Sequence, residues 1–417
     1  MLATQNLESI TGRGTRLPLG AGLLTLALVG TCAGVAWASG SPLVPGEGGR
    51  LAGDPAWAWA FLACAALALA SYGAGVVLLR RRAARIRLVV ALAAAIQLAP
   101  LGAPLLLSSD AWTYWSYGRI AAVQGGNPYE QPPSAFPDDP AFPWVGADWR
   151  DTTSVYGPAF TLASEPLALA AGGSHERAAW IFKTAAALAM VAAAALAARL
   201  GARPAFAAAF VGWNPVLALH QGGGGHNDAW MGALVLAAMA LAVAGRGRLA
   251  GVAWALAVLV KWVPLLFLPL RALEARRTGR RLVHAGTLGA GAAVLAVATW
   301  RYGPHWAEAF GPLARNADLR TRFALPSRLE QAGIPGDAAV ALCLAAFALA
   351  YAWLLREAWR GRARLGLAGG LFLFAVPYLA PWYLAWNVPV AAVEDDPAAW
   401  WLGIGLSAYL LPQTIPI

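Results

Sequence analysis

Apolar runs of about 20 residues, each long enough to cross ~30 Å of hydrocarbon as a helix, recur along almost the whole chain. They fall at 18–39, 56–79, 88–107, 175–199, 204–221, 227–245, 281–301, 336–355, 365–383 and 397–413, separated by short polar or arginine-rich joints. Two further runs, 157–172 and 249–270, are harder to place. None alternates apolar with polar positions as a barrel strand does, and lipid cannot satisfy an unpaired backbone, so the runs predict helices. The expected fold is an all-α polytopic membrane protein of about 10–12 transmembrane helices, a single integral-membrane domain over 1–417.

Composition closes off the soluble alternatives. Of the 417 residues 59% are hydrophobic and only 12% charged, against about 25% charged in an ordinary soluble domain. The net charge of +10 does not point to nucleic acid, because the arginines cluster at the ends of apolar runs and read as topology signals. Cys32, Cys64 and Cys343 stand alone inside apolar segments; neither a zinc site nor a disulfide framework is expected. The first run follows Arg13 and Arg16 and is longer than a signal h-region, so it is read as a first span or uncleaved anchor.

The positive-inside rule orients the set. Arg80, Arg81, Arg82, Arg85 and Arg87, the stretch 271–281 with five arginines and the stretch 356–364 with four mark cytoplasmic loops. From a cytoplasmic N-terminus, three spans deliver a loop over 108–158 to the extracytoplasmic side. Between 158 and 271 two readings compete. If 157–172 and 249–270 both span, Arg199 and Arg203 fall outside. If the first lies along the interface and the second is a re-entrant pair broken near Pro264, then Arg199, Arg203, Arg246 and Arg248 are all cytoplasmic. The second obeys the charge rule everywhere and is preferred. No internal repeat is visible.

The 108–158 loop is the compositional anomaly: ten aromatic residues, seven prolines, six acids and only two arginines. Disordered linkers are poor in aromatics, so this segment is expected to fold against the membrane surface. It opens with Asp110-Ala-Trp-Thr-Tyr-Trp-Ser-Tyr-Gly-Arg119, which places Asp110 at the start of an interfacial helix, as a cap, as a functional carboxylate, or as both. Farther on come Gly126-Asn127-Pro128-Tyr129, Asp148-Trp149-Arg150-Asp151 and Tyr156-Gly157-Pro158. Some of these aromatics would form an interfacial belt.

Four more constellations stand out. Trp213-Asn214-Pro215 is followed by His220, four glycines at 222–225 and His226-Asn227-Asp228. The glycines allow close backbone approach, and the helix they precede could hold a phosphate or sugar hydroxyl, or simply be a capped turn. The spacing fits no His-x3-His or HExxH pattern, so no metal is predicted. Lys261 sits midway along an apolar run, where a lysine is costly unless it is paired or reaches water; snorkelling is the bland alternative. The second extracytoplasmic loop, 303–335, carries His305, Arg315, Arg320, Arg322 and Arg328, against the charge rule and suited to an anionic headgroup. Pro381-Trp382-Tyr383 with Trp386 and Asn387 interrupts a late run, as belt or as rim of a lipid groove.

Taken in order, these motifs resemble the GT-C glycosyltransferases: an acid directly after an early span, a loop ending in Tyr156-Gly157-Pro158, Asn214-Pro215, Gly223-Gly224-x-His226-Asn227-Asp228, and Lys261-Trp-Val-Pro264-Leu-Leu266 before a basic loop. The nearest likeness is to mycobacterial-type polyprenol-phosphate-mannose-dependent α-mannosyltransferases, over most of 86–390. The resemblance implies transfer of a sugar, expected to be mannose, from a polyprenyl-phosphate donor to a cell-envelope glycan or glycolipid on the outer side of the membrane. It implies Asp110 as base in an inverting transfer, with Asp148 or Asp151 as a second carboxylate. Arg119, Tyr156, His226, Asn227, Asp228, Lys261 and Arg322 complete the expected donor site. Trp112, Trp115 and Trp149 are candidates to stack on sugars, and no cofactor is expected. A transporter or flippase of lipid-linked sugars is the rival, though it would place polar groups on facing helices at the midplane, where only Lys261 stands. A non-catalytic assembly subunit would not require Asp110 to converge with 226–228.

Overall fold

The computed structural model describes residues 16–277, 279, 285–315 and 319–417, all helix, turn or loop with no strand among them. Arg13, Arg280 and Arg281 lie outside the described residues. In chain order the main helices are α1 (Arg16–Val35), α2 (Pro55–Arg81), α3 (Ile86–Leu98), α4 (Asp110–Ala122), α5 (Pro158–Ala171), α6 (His175–Leu200) and α7 (Pro204–Gly212), followed by α8 (Asp228–Val243), α9 (Gly247–Val260), α10 (Phe267–Arg277), α11 (Ala285–Tyr302), α12 (Gly336–Trp359), α13 (Leu365–Phe372) and α14 (Pro397–Leu410).

Local chemistry sets these boundaries. Asp54, Ser174 and Asp396 cap α2, α6 and α14 by accepting backbone N–H bonds, and Pro55, Pro158, Pro204 and Pro397 occupy first-turn positions where the missing N–H costs nothing. Alanines line the buried face of α6 and let neighbouring backbones approach, the usual way helices associate where lipid offers no hydrophobic drive.

Among the described residues four helices, α1, α2, α6 and α12, are long and apolar enough to cross a membrane. Two of the other runs are interrupted. The run 204–221 breaks at Trp213-Asn214-Pro215: Asn214 Oδ1 accepts the N–H groups of Val216 and Leu217, and a π-type turn, Ala218–Gly222, follows. The run 365–383 is helical only to Phe372 before a 3-10 turn at Pro381–Trp386. Both breaks face the centre of the bundle, where irregular backbone is tolerated because protein rather than lipid surrounds it.

The arginine clusters gather at one end. The Arg80 guanidinium lies 4.7 Å from the Trp400 ring centroid, Arg364 pairs with Asp396 at 2.7 Å, and Arg203 lines a crevice with Glu394 and Asp395. The 249–270 run folds back on itself. It enters as α9, breaks at an extended Lys261, turns through Val263–Leu266, and returns as α10 to Glu274, which accepts the Ala363 N–H at the arginine end. Helix α5 stays at the opposite end: the Gly157 N–H meets Val260 O, while the Gly172 carbonyl accepts Trp115 Nε1 and Arg119 Nη1 from α4. Gly118 permits that pairing, since a Cβ there would sit 2.3 Å from Ser164 O.

The 108–158 loop is α4 followed by 3-10 turns, strapped by a buried ion pair. Arg119 Nε meets Asp139 at 2.8 and 3.1 Å, and Gln124 and the Ala141 N–H complete the carboxylate. Burial alone would raise the Asp139 carboxyl, but Arg119 and these N–H donors hold it below its ordinary value of 3.8. The pair's contribution is therefore complete above that value and drains away as pH falls through the depressed one. Arg119→Leu leaves Asp139 buried and unpaired, so the full chain in detergent should lose about 3–5 kcal/mol, read as a lower melting temperature at neutral pH. Unchanged melting would show that the pair is not a strut.

Candidate active site

Three breaks in the helical pattern meet at the end opposite the arginines. The first is the irregular strap 103–109 that delivers Asp110 to the first position of α4. Asp110 accepts no N–H of its own helix among the described residues; its carboxylate turns inward, with Oδ2 3.2 Å from His226 Nδ1 and 3.5 Å from the Tyr114 hydroxyl. The second is the glycine run. Each glycine has a packing reason: a Cβ would meet Gln97 O at Gly222, Leu106 at Gly223, the His226 ring at Gly224, and both Ala111 and Lys183 at Gly225, whose φ of +75° is left-handed. The run lets α3, the strap, α4 and α6 close on one point and sets His226 against Asp110. The third is Lys261, where α9 ends.

The polar floor is compact. Lys261 Nζ lies 2.7 Å from Asp228 Oδ1 and 3.4 Å from Asn227 Oδ1, and Trp386 Nε1 donates to that same Asp228 oxygen. The His226 ring stacks on Trp382 with centroids 3.8 Å apart, and Tyr383 stacks on Trp386 at 4.0 Å. The ammonium lies 5.2 Å from the Tyr383 centroid, a cation–π contact in a desolvated setting. Gln221, fully buried, joins the pieces by donating to Trp382 O and accepting from the Ala229 N–H. Among the described residues His226 Nε2, Asn227 Nδ2 and Asp228 Oδ2 are buried without a hydrogen-bond partner, and the His226–Asp110 contact is close but poorly aligned. Such loose floors commonly tighten only when a reactant is bound.

Above this floor lies a cavity of about 470 Å³. It is lined by Asp110, Lys261, Trp149, Tyr156, Tyr378, Trp382, Tyr383 and Trp386, and by the apolar side chains of Val263, Leu266, Leu344, Phe372 and Val376. Burial by itself would raise the Asp110 carboxyl; His226, then Lys261 and the Ser108 hydroxyl, outweigh it and hold the group below its ordinary value of 3.8. The site thus presents an ionised carboxylate beside an imidazole and an ammonium.

The other candidates lie elsewhere. Arg119 is committed to Asp139 and is absent from the cavity lining. Asp148 and Asp151 are exposed on the loop surface next to Trp149 and do not reach the floor. Arg322 is exposed on a segment tied to the cavity rim by the Thr321 hydroxyl, which donates to Leu379 O. Trp112 and Trp115 are buried struts, donating to His175 O and Gly172 O. Gln221, Tyr114, Tyr378 and Lys183 were not anticipated from the sequence. Lys183 had a readable signal, a basic residue within an apolar helix, of the same kind as Lys261. Among the described residues no three His, Cys, Asp or Glu side chains converge as a metal site requires.

Fold and site together define a helical membrane protein with a buried acid–histidine–lysine centre under an aromatic-walled cavity. The chain belongs to the family described as Alpha-(1->6)-mannopyranosyltransferase, N-terminal domain, whose model matches residues 19–277. It is 29% identical over 342 residues to alpha-(1->6)-mannopyranosyltransferase A of Mycobacterium tuberculosis, covering 70% of this chain and 63% of that one. It is 30% identical over 169 residues to the Corynebacterium glutamicum protein of the same name, covering 39% of this chain and 34% of that one. The chain thus spans less than two thirds of the length of either relative. No solved structure matches it. The matched segment contains Asp110, His226, Asp228 and Lys261, whereas the Trp382–Trp386 wall lies beyond it.

Proposed function

We propose that the protein is a membrane mannosyltransferase that takes mannose from a polyprenyl-phosphate donor and places it on a glycan or glycolipid hydroxyl of the cell envelope. One observation carries the reading: the Asp110 carboxyl, 3.2 Å from His226, lines a cavity that combines polar and aromatic side chains with purely apolar ones. A sugar phosphate on a lipid tail combines the same two characters. The arginine clusters lie at the other end of the bundle, so the charge rule supports an extracytoplasmic cavity. Nucleotide sugars are not available there.

The chemistry balances with these residues. The acceptor hydroxyl attacks the anomeric carbon from the face opposite the phosphate, its proton passes to Asp110, and the anomeric C–O bond to phosphate breaks with its electron pair leaving on polyprenyl phosphate. Lys261 carries three N–H donors; two meet Asp228 and Asn227, and the third is free to meet the departing phosphate. Stabilising that charge inside a low-dielectric cavity lowers the barrier more than it could in water.

The test uses the purified full chain in detergent with an α-mannoside acceptor, given radiolabelled polyprenyl-phosphate mannose in one arm and radiolabelled nucleotide-linked mannose in the other. Label should reach the acceptor only from the lipid donor. Transfer from the nucleotide donor, or from neither, would overturn the reading.

A further inference from the structure

The chain contains 29 arginines and two lysines. Both lysines are inside the bundle. Lys261 is at the base of the cavity. Lys183, on α6, is 1% exposed and takes no part in the proposed chemistry. Its ammonium donates to Ala103 O and, at 3.1 Å, to Pro104 O. A compact ammonium with rotatable donors suits two adjacent carbonyls in a tight space, where a planar guanidinium does not.

Those carbonyls begin the strap that ends at Asp110. Along it the Leu106 N–H donates to Gly223 O and the Leu107 N–H to Leu43 O, and Ser108 Oγ accepts the Asp110 N–H. Leu107 has φ +61°, and it is the one non-glycine with positive φ among the described residues. A leucine in that region costs about 1–3 kcal/mol and persists only where its surroundings over-determine it. Gly225 also packs on the Lys183 backbone, one residue before His226. One turn of α6 therefore touches both chains that carry the Asp110–His226 pair, grasping the first through a side chain and buttressing the second through its backbone.

We propose that Lys183 is a positioning residue: by holding the 103–104 carbonyls it fixes the strained strap and so sets Asp110 against His226. The inference rests on the transfer reaction proposed above, with a readout that does not. In Lys183→Met, hydrogen exchange followed by mass spectrometry on the full chain in detergent should show lost protection in peptides spanning 103–109. Activity per folded molecule should fall in kcat by about 10²-fold, the cost of displacing a reacting group by about 1 Å, with KM within about twofold. Lys183→Gln, which keeps two N–H donors, should recover part of that loss. Should the Met variant fail to fold, Gly223→Ala replaces it: its Cβ would sit 2.8 Å from Leu106 Cδ1 and push the same strap, giving the same split between kcat and KM. Unchanged protection over 103–109, or a kcat within about threefold of wild type in a folded variant, overturns the proposal. An inactive wild-type chain would sink the transfer reading instead, and the exchange measurement would still decide the clamp.

Discussion

Asp110→Asn should lower kcat for transfer from polyprenyl-phosphate mannose by about 10³-fold, within the range that a positioned base contributes, and lower the melting temperature only modestly. The second half of that expectation follows from geometry. Asparagine has the same shape, and the Asp110 carboxylate holds none of its helix's N–H groups, so the change removes no cap. What it removes is the proton acceptor 3.2 Å from His226. The pH profile gives an independent check. Because the neighbours hold the Asp110 carboxyl below 3.8, the base stays ionised through the neutral and mildly acidic range. The wild-type rate should fall on the acid side only below that value, when read as initial rates straight after a pH jump, before the Arg119–Asp139 strut gives way. Equal rates for Asp110→Asn and wild type would remove Asp110 from the chemistry. An acid limb near the ordinary histidine range would move the titrating role to another group.

How far the sequence carried this site depends on the range of the interactions involved. Asp110, His226, Asn227, Asp228 and Lys261 were all readable, because each is a polar group at or within an apolar run, where its cost demands a partner. Their convergence was not readable. It depends on close approaches at Gly222, Gly223, Gly224 and Gly225 to residues on α3, the strap, α4 and α6, and a glycine run looks alike whether it cradles a ligand or a neighbouring backbone. Arg119 shows the opposite error. The resemblance put it in the donor site, but its partner Asp139 lies 20 residues on, across turns that no periodicity describes. The apolar pattern likewise gave helices in nearly the right places. It could not show that 204–221 and 365–383 are interrupted, since a hydrophobic break packed against protein has the same composition as a continuous span.

Lys261→Met should affect folding and catalysis together, and a second substitution should pull the two apart. Asp228 is 0% exposed and Lys261 is its counter-charge at 2.7 Å. Removing the ammonium leaves a carboxylate whose remaining donor is Trp386 Nε1, an uncompensated buried charge worth about 3–5 kcal/mol of stability. Lys261→Met alone should therefore melt well below wild type in detergent and show little transfer. Adding Asp228→Asn removes the orphaned charge while keeping an oxygen for Trp386 to donate to. The double variant should regain most of the lost melting temperature, a coupling that contacting residues show and distant ones do not. Activity should not return with it. If Lys261 meets the departing phosphate, its loss costs about 10²–10³-fold in kcat, as removal of a preorganised donor does elsewhere, whatever the state of Asp228. Recovery of both stability and transfer in the double variant would mean that the lysine serves the fold alone and that the leaving phosphate is held from another quarter, with Arg322 on the rim-tied segment the first group to test.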